Sequence, residues 1–309
     1  MGKVLEGSSY MGNPTCMIMK SGESMRKISF LPSLLLALLL WQATPTNAQV
    51  PLGVRSARGL TVTPAYEGWY ENADGTYSIS FGYFNRNFEE FVDIPVGPDN
   101  SIEPQEFNGD QPAHFAPRRH WGVFAIKVPA DFGDQRVRWA LNVNGQTFSI
   151  PGHLDPDWQI DALAGEAGSG TGSGNTPPVL QFSEDGLEGA GPAGVTGPHL
   201  NTAVGNPLTV TVWAHDDGAP SSSVASAGRN AAPVDLMWFK HQGPGDVEFS
   251  EVEAEVQSAG GSASTTVIFS MPGEYILRVR ANDASGVTGA GHAQCCWTNG
   301  FVPITVVSN

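Results

Sequence analysis

Two stretches of this 309-residue chain gather side chains that could do chemistry. The first, residues 103–120, carries Glu103, Glu106 and Asp110, then His114, Arg118, Arg119 and His120. Two neighbouring carboxylates, one protonated and one ionised, can cleave a glycosidic bond by acid–base catalysis, so a hydrolytic enzyme here would use Glu103 and Glu106. A chain with 31 acidic residues also brings carboxylates together by chance. No nucleophile elbow, phosphate loop, zinc-binding helix or dinucleotide fingerprint accompanies them. The sequence therefore reads as non-catalytic, with hydrolysis by Glu103 and Glu106 as the alternative. His114, Arg118, Arg119 and His120 form a basic cluster in an acidic chain, set in loop-like sequence by Pro112 and Pro117. It suits contact with a carboxylate, a sulfate or an anionic sugar, or docking on an acidic surface of the neighbouring domain or of a second copy. The second stretch is "QCCWTNG", residues 294–300. Adjacent cysteines could pair with each other, cross-link to another chain, stay as free thiols or hold a metal, and the compartment bears on which.

Residues 25–48, "MRKISFLPSLLLALLLWQATPTNA", have the layout of a signal peptide: Arg26 and Lys27, an apolar run from Ile28 to Trp41, then Thr46 and Ala48 before a break. Residues 1–24 read as a misassigned start or non-native leader. Export puts Cys295 and Cys296 in an oxidising setting, secreted, periplasmic or at the cell surface. Removing residues 1–48 takes away Lys3, Lys20, Arg26, Lys27, Glu6 and Glu23, and the 16 basic and 31 acidic residues become 12 and 29, a net charge of −17. Such a surface repels phosphate backbones, so nucleic acid is excluded as a partner, and no polybasic stretch favours stable membrane attachment. The expected partner is a protein, an extracellular-matrix or cell-envelope component, or a second copy. Structural zinc normally needs four ligands at wider spacing. A Cys295–Cys296 disulfide with Trp297 packed over it as a rigid contact corner is the leading reading, and cross-linking, free thiols and metal remain as alternatives.

The elements around these groups read as β throughout. "GTYSISFGYFNRN" alternates, with Tyr77, Ile79, Phe81 and Tyr83 on one face and Ser78 and Ser80 on the other. "RVRWALNVNGQTFSIPG" predicts a hairpin around Asn144-Gly145, with Trp139 in the core. "NPLTVTVWAHDDG", "VDLMWFKH", "STTVIFS", "PGEYILRVRANDASG" and "FVPITVV" supply the later strands, with Trp238 in the core. The Gly/Ser-rich stretch at 163–177 reads as a flexible linker that lets the halves move independently. The expected architecture is all-β: two immunoglobulin-like β-sandwich domains, 49–162 and 178–309, joined by that linker. Trp213 falls opposite Leu208, Val210 and Val212. It must either pack beneath the 218–233 insertion or stand exposed as a contact.

The order "NTPPV", "VGNPLTVTVWAHDDG", a strand with Trp238, "MPGEYILRVRANDASG" and a terminal strand resembles secreted bacterial immunoglobulin-like modules of the PKD and cadherin-like kind, over about residues 175–308. The resemblance covers Pro272, Gly273 and Tyr275, Asp216-Asp217-Gly218, and Asn282-Asp283. It implies adhesion, assembly or spacing, with no cofactor needed. It also raises Ca2+, held by Asp216, Asp217 and Asp283, with Asn282 and Asn175 adding carbonyl oxygens. The insertion at 218–233 and "CCWTNG" depart from the pattern.

Overall fold

The computed structural model describes residues 56–160, 176–217, 233–283 and 296–309. The leader, the signal segment, Asn175, Cys295 and nearly all of the linker and the insertion lie outside the described residues. In the first half, alternating Tyr, Phe, Val and Ile side chains and Gly-containing turns give β1 (Val62–Glu71), β2 (Tyr77–Asn85), β3 (Val92–Asp93), β4 (Asn100–Glu103), β5 (His114–Phe115), β6 (Arg118–Val128), β7 (Val137–Val143) and β8 (Gln146–Gly152). One sheet runs β1-β2-β6, a second runs β4-β7-β8, and β3 and β5 form a short ribbon. Asn144 and Gly145 both take positive φ, 53° and 73°, as a tight turn between β7 and β8 requires.

Between these sheets Ile79, Phe81 and Tyr83 meet Val137, Trp139 and Leu141. Trp139 lies fully buried between the Phe81 and Phe124 edges, with ring centres 6.1 and 5.1 Å away. Its indole N–H donates to Asn100 Oδ1 at 3.0 Å, and Asn100 Nδ2 donates to the Ile94 and Pro112 carbonyls. Every polar atom of that buried amide is therefore satisfied, which burial at this depth demands.

The second half folds as β9 (Val179–Gln181), β10 (Val195–Thr196), β11 (Leu200–Ala203), β12 (Leu208–His215), β13 (Val234–Gln242), β14 (Val247–Phe249), β15 (Glu253–Val256), β16 (Gly261–Phe269), β17 (Gly273–Asn282) and β18 (Trp297–Val307). One sheet runs β10-β18-β17-β13-β15, with β11 also on β18, and the other runs β14-β16-β12-β9. β18 pairs antiparallel with β17 and parallel with β10 and β11. Trp238, Leu277, Val279 and Ile304 fill the space between the sheets with Val210, Val212, Val267 and Phe269. Tyr275 is buried against Phe269 and donates its hydroxyl to the Met271 carbonyl at 2.8 Å. The protein is thus all-β, two sandwiches in sequence, and among the described residues no helix is long and apolar enough to cross a membrane.

The two halves, expected to be joined by a flexible linker, lie against each other in this structure. Val54–Asn309 forms one compact unit. Alternation correctly put Ser78 and Ser80 on the face away from the first core, yet both are buried, as is Arg278 on the outer face of β17. The polar outer faces of β1-β2-β6 and of β13-β17-β18 lie against each other.

Candidate functional site

The junction of the two sandwiches has a closed end and an open end. At the closed end, alternation along β18 turns Trp297 and Asn299 outward from their own core and into the first sandwich. Gly122, at φ 43°, is where they land. A Cβ on Gly122 would stand 2.4 Å from the Trp297 ring, so only glycine admits the indole. The Gly122 carbonyl accepts from Trp297 Nε1 at 3.1 Å and from Asn299 Nδ2 at 2.7 Å. The other Asn299 Nδ2 hydrogen goes to the Pro192 carbonyl, and Asn299 Oδ1 accepts from Arg278 Nη1 at 2.9 Å. Nearby, the Tyr70 hydroxyl accepts from Ala193 N–H. Trp297 is 1% exposed, so the contact corner expected of it faces inward, because its indole is used to join the halves. Cys296, just before it, is buried and disulfide-bonded, and its partner lies outside the described residues.

Midway, β13 meets the 109–113 loop. His241 N–H donates from Nε2 to the Asp110 carbonyl at 2.9 Å, and Ala113 N–H donates to the His241 carbonyl. Gln242 Nε2 donates to the Gly109 and Gln111 carbonyls. Burial holds the His241 imidazolium down to about 3, and the charge of Arg278 pushes the same way. Burial, with Arg278 next, also lowers His120 to about 3. On the same outer face Glu67 is fully buried and paired with Arg119. Its burial outweighs the guanidinium, and the carboxyl is pushed up to about 7.

At the open end the two halves part to leave a cleft of about 480 Å3, lined among others by Tyr83, Phe91, Asp93, Phe239, Val252 and Arg278. Asp93 sits at its wall, held by His114 Nδ1 at 2.7 Å and by Lys240 Nζ at 3.4 Å. Phe91 stacks on the His114 ring and is 57% exposed, and Val252 is 49% exposed. Arg278 lies over the Phe239 ring at 4.3 Å.

The structure does not bring the basic cluster together on one ligand. His114 faces the cleft, Arg118 lies over Phe88 and Phe84, Arg119 pairs with Glu67, and His120 stacks on Tyr83. The alternation of β6 sends neighbouring residues to opposite faces, which separates them. Glu103 and Glu106 are both exposed, one at the end of β4 and the other in the turn that follows. Asp216 and Asp217 follow the end of β12, and Asn282 ends β17 with Asp283 just after it, where Asn282 Nδ2 reaches Asp235 at 3.4 Å. Among the described residues no three His, Cys, Asp or Glu side chains converge to hold a metal ion. Trp213 is half-buried on β12, beside Gln181 of β9 and Ser262 of β16.

Sequence reasoning missed Phe91, Asp93, Phe239, Lys240 and Arg278 as neighbours. One signal was present. "LMWFK" on β13 is apolar on both faces, the mark of a strand covered on both sides. "SISFG" likewise puts Ser78, Ser80 and Gly82 in a row of small residues, which permits close approach of another layer.

No family model matches this chain, and no curated protein matches it. Solved structures with some likeness include the D00–D0 domain of intimin, at 12% identity over 79% of this chain and 100% of that one, with a TM-score of 0.24. Domains 4 and 5 of the S-layer protein SbsC share 12% identity over 68% and 78%, with a TM-score of 0.23. The fibronectin(III)-like modules of Clostridium thermocellum CbhA share 13% over 80% and 95%, at 0.20. None of these scores is high enough to carry a function across.

Proposed function

We propose that this chain is an exported, non-catalytic binding module whose two immunoglobulin-like sandwiches are fixed to each other, the second of the PKD and cadherin-like kind, and that it holds a protein or cell-envelope partner at the open end of the junction. The observation that supports this reading is the junction itself. A paired set of sheet faces buries Trp297 and satisfies Asn299, His241 and Gln242 with carbonyls of the opposite half, and leaves the cleft of about 480 Å3 with Phe91 and Val252 exposed at its mouth. Exposed apolar side chains rimmed by charge are how contact sites present themselves. Cys296 is oxidised, which suits an exported chain, and Cys295 is its natural partner because the exported chain has no third cysteine.

Retention on the producing cells tests the contact reading. Phe91→Asp with Val252→Asp should release the protein from the cell envelope into the medium while its melting temperature stays within a few degrees of the parent. Unchanged distribution would remove the cleft as the contact site.

A further inference from the structure

Among the described residues Arg278 is a buried cation without a counter-ion. It is 2% exposed and lines the cleft. Its one hydrogen bond among the described residues runs from Nη1 to Asn299 Oδ1, a neutral amide. The Asp93 carboxylate in the same cleft is occupied by His114 and Lys240, and the ion pairs of the described residues leave Arg278 out. The next residue on that face, Arg280, adds a second guanidinium beside Phe239, at 5.5 Å from the ring. Burial and the charge of Arg280 together hold the Arg278 guanidinium down to about 9. An uncompensated buried charge costs several kcal/mol unless something of opposite sign completes it. Arg280 has the carboxylates of Asp235 and Glu253 near it, whereas no carboxylate acts on Arg278 among the described residues, a local exception in a chain that carries 31 acidic residues.

The surroundings narrow what could complete it. A guanidinium offers a planar fork that matches a carboxylate with two parallel hydrogen bonds. Beyond it Phe239, Phe91, Phe249, Val247 and Val252 give the cleft an apolar wall that suits an organic body better than a bare inorganic anion, while Asp93, held by His114 and Lys240, and Asp246 line it elsewhere. Tyr83, 2% exposed, stands beside the guanidinium. Its oxygen accepts from Ala116 N–H, so its own hydrogen remains to be donated. A volume of about 480 Å3 is in the range of small-molecule sites. Resting on the contact reading above, we propose that the cleft binds a small organic carboxylate, with its carboxylate on Arg278 and its apolar body against Phe239 and Phe91.

The test is calorimetry on the secreted protein with three probes: 3-phenylpropionate, the neutral 3-phenylpropan-1-ol, and inorganic sulfate. Saturable binding of the acid is expected, at least tenfold tighter than the alcohol or sulfate. Arg278→Met should weaken the acid at least tenfold. Because Arg278 also anchors Asn299, that variant can unfold, so Phe91→Ser at the exposed rim serves as the second variant and should weaken the acid several-fold in a folded protein. Failure of the folded parent to bind the acid overturns the proposal, as does alcohol or sulfate binding equally well, or undiminished binding in Phe91→Ser. Release from the envelope by the rim substitutions together with no carboxylate binding would refute this inference and leave the contact reading standing.

Discussion

The two ends of the junction are made by the same pair of sheets and end up opposite in character. Around Trp297 every group has a partner: an indole against a glycine, one carbonyl taking two donors, an amide using both hydrogens. Around Phe91 the first sandwich offers the short β3–β5 ribbon, the Asp93 carboxylate is shared by His114 and Lys240, and an aromatic side chain stands in solvent. Closure requires complementary shape together with a full count of hydrogen bonds. Where the first sandwich presents Gly122 the layers close, and where it presents Phe91 and Asp93 they cannot. The closed end therefore carries the stability of the junction and the open end is free to carry recognition.

The sharpest way to break this contrast is at Trp297. Trp297→Ala should cost roughly 3–5 kcal/mol in urea unfolding, since it empties a packed site and strips one donor from Gly122. A cost below about 1 kcal/mol would show that the closed end is not load-sharing.

The next effect is electrostatic and depends on pH. Glu67 has a folded pKa of about 7, above its ordinary value of 4.5. It binds a proton more readily when folded, so its contribution is fully present below about pH 4.5 and is lost, by about 3 kcal/mol, as pH rises through 7. His120 and His241 are depressed from 6.5 to about 3 and work the other way: stability is full above pH 6.5 and each loses about 2 kcal/mol by pH 5. Glu67→Gln should therefore be more stable than the parent at pH 8 and fall faster on acidification from pH 7 to 5. Parallel stability–pH curves for parent and variant would mean that Glu67 is ionised in the fold.

Asn299→Ala is expected to cost about 1–3 kcal/mol, because it leaves the buried Arg278 without its acceptor and the Pro192 carbonyl without its donor. Equal stability would show that water replaces the amide. At the other end of the scale, Phe91→Ser should change stability by no more than about 0.5 kcal/mol. A larger loss would mean that the open end is packed in solution.

Local pattern made most of the fold legible. Period-two alternation located β2, β7, β12 and β17, Asn144-Gly145 located the hairpin, and two apolar-flanked tryptophans located the cores. The junction was not legible, because its partners lie far apart in sequence. Asn299 and Gly122 are 177 residues apart, and the acceptors for Trp297, His241 and Gln242 across the junction are backbone carbonyls, which no residue type announces. A serine or arginine on an outer face reads as solvated unless one knows that another layer covers it. The basic cluster shows the opposite case: its residues are near one another in sequence, and an extended strand sends neighbouring side chains to different surroundings.

β18 has a further consequence, which concerns the order of synthesis. This strand closes the second sandwich by pairing with β17, β10 and β11, and it also delivers Trp297 and Asn299 to the first. A chain synthesised from its N-terminus therefore leaves the outer face of β1-β2-β6 without its β18 contacts until residues beyond 296 arrive. The first sandwich can assemble its own core early, but the closed end of the junction forms only when β18 docks. A chain stopped at Cys296 should bind a hydrophobic dye that the finished protein excludes, and a dye signal no higher than that of the full chain would show that β18 does not have this role.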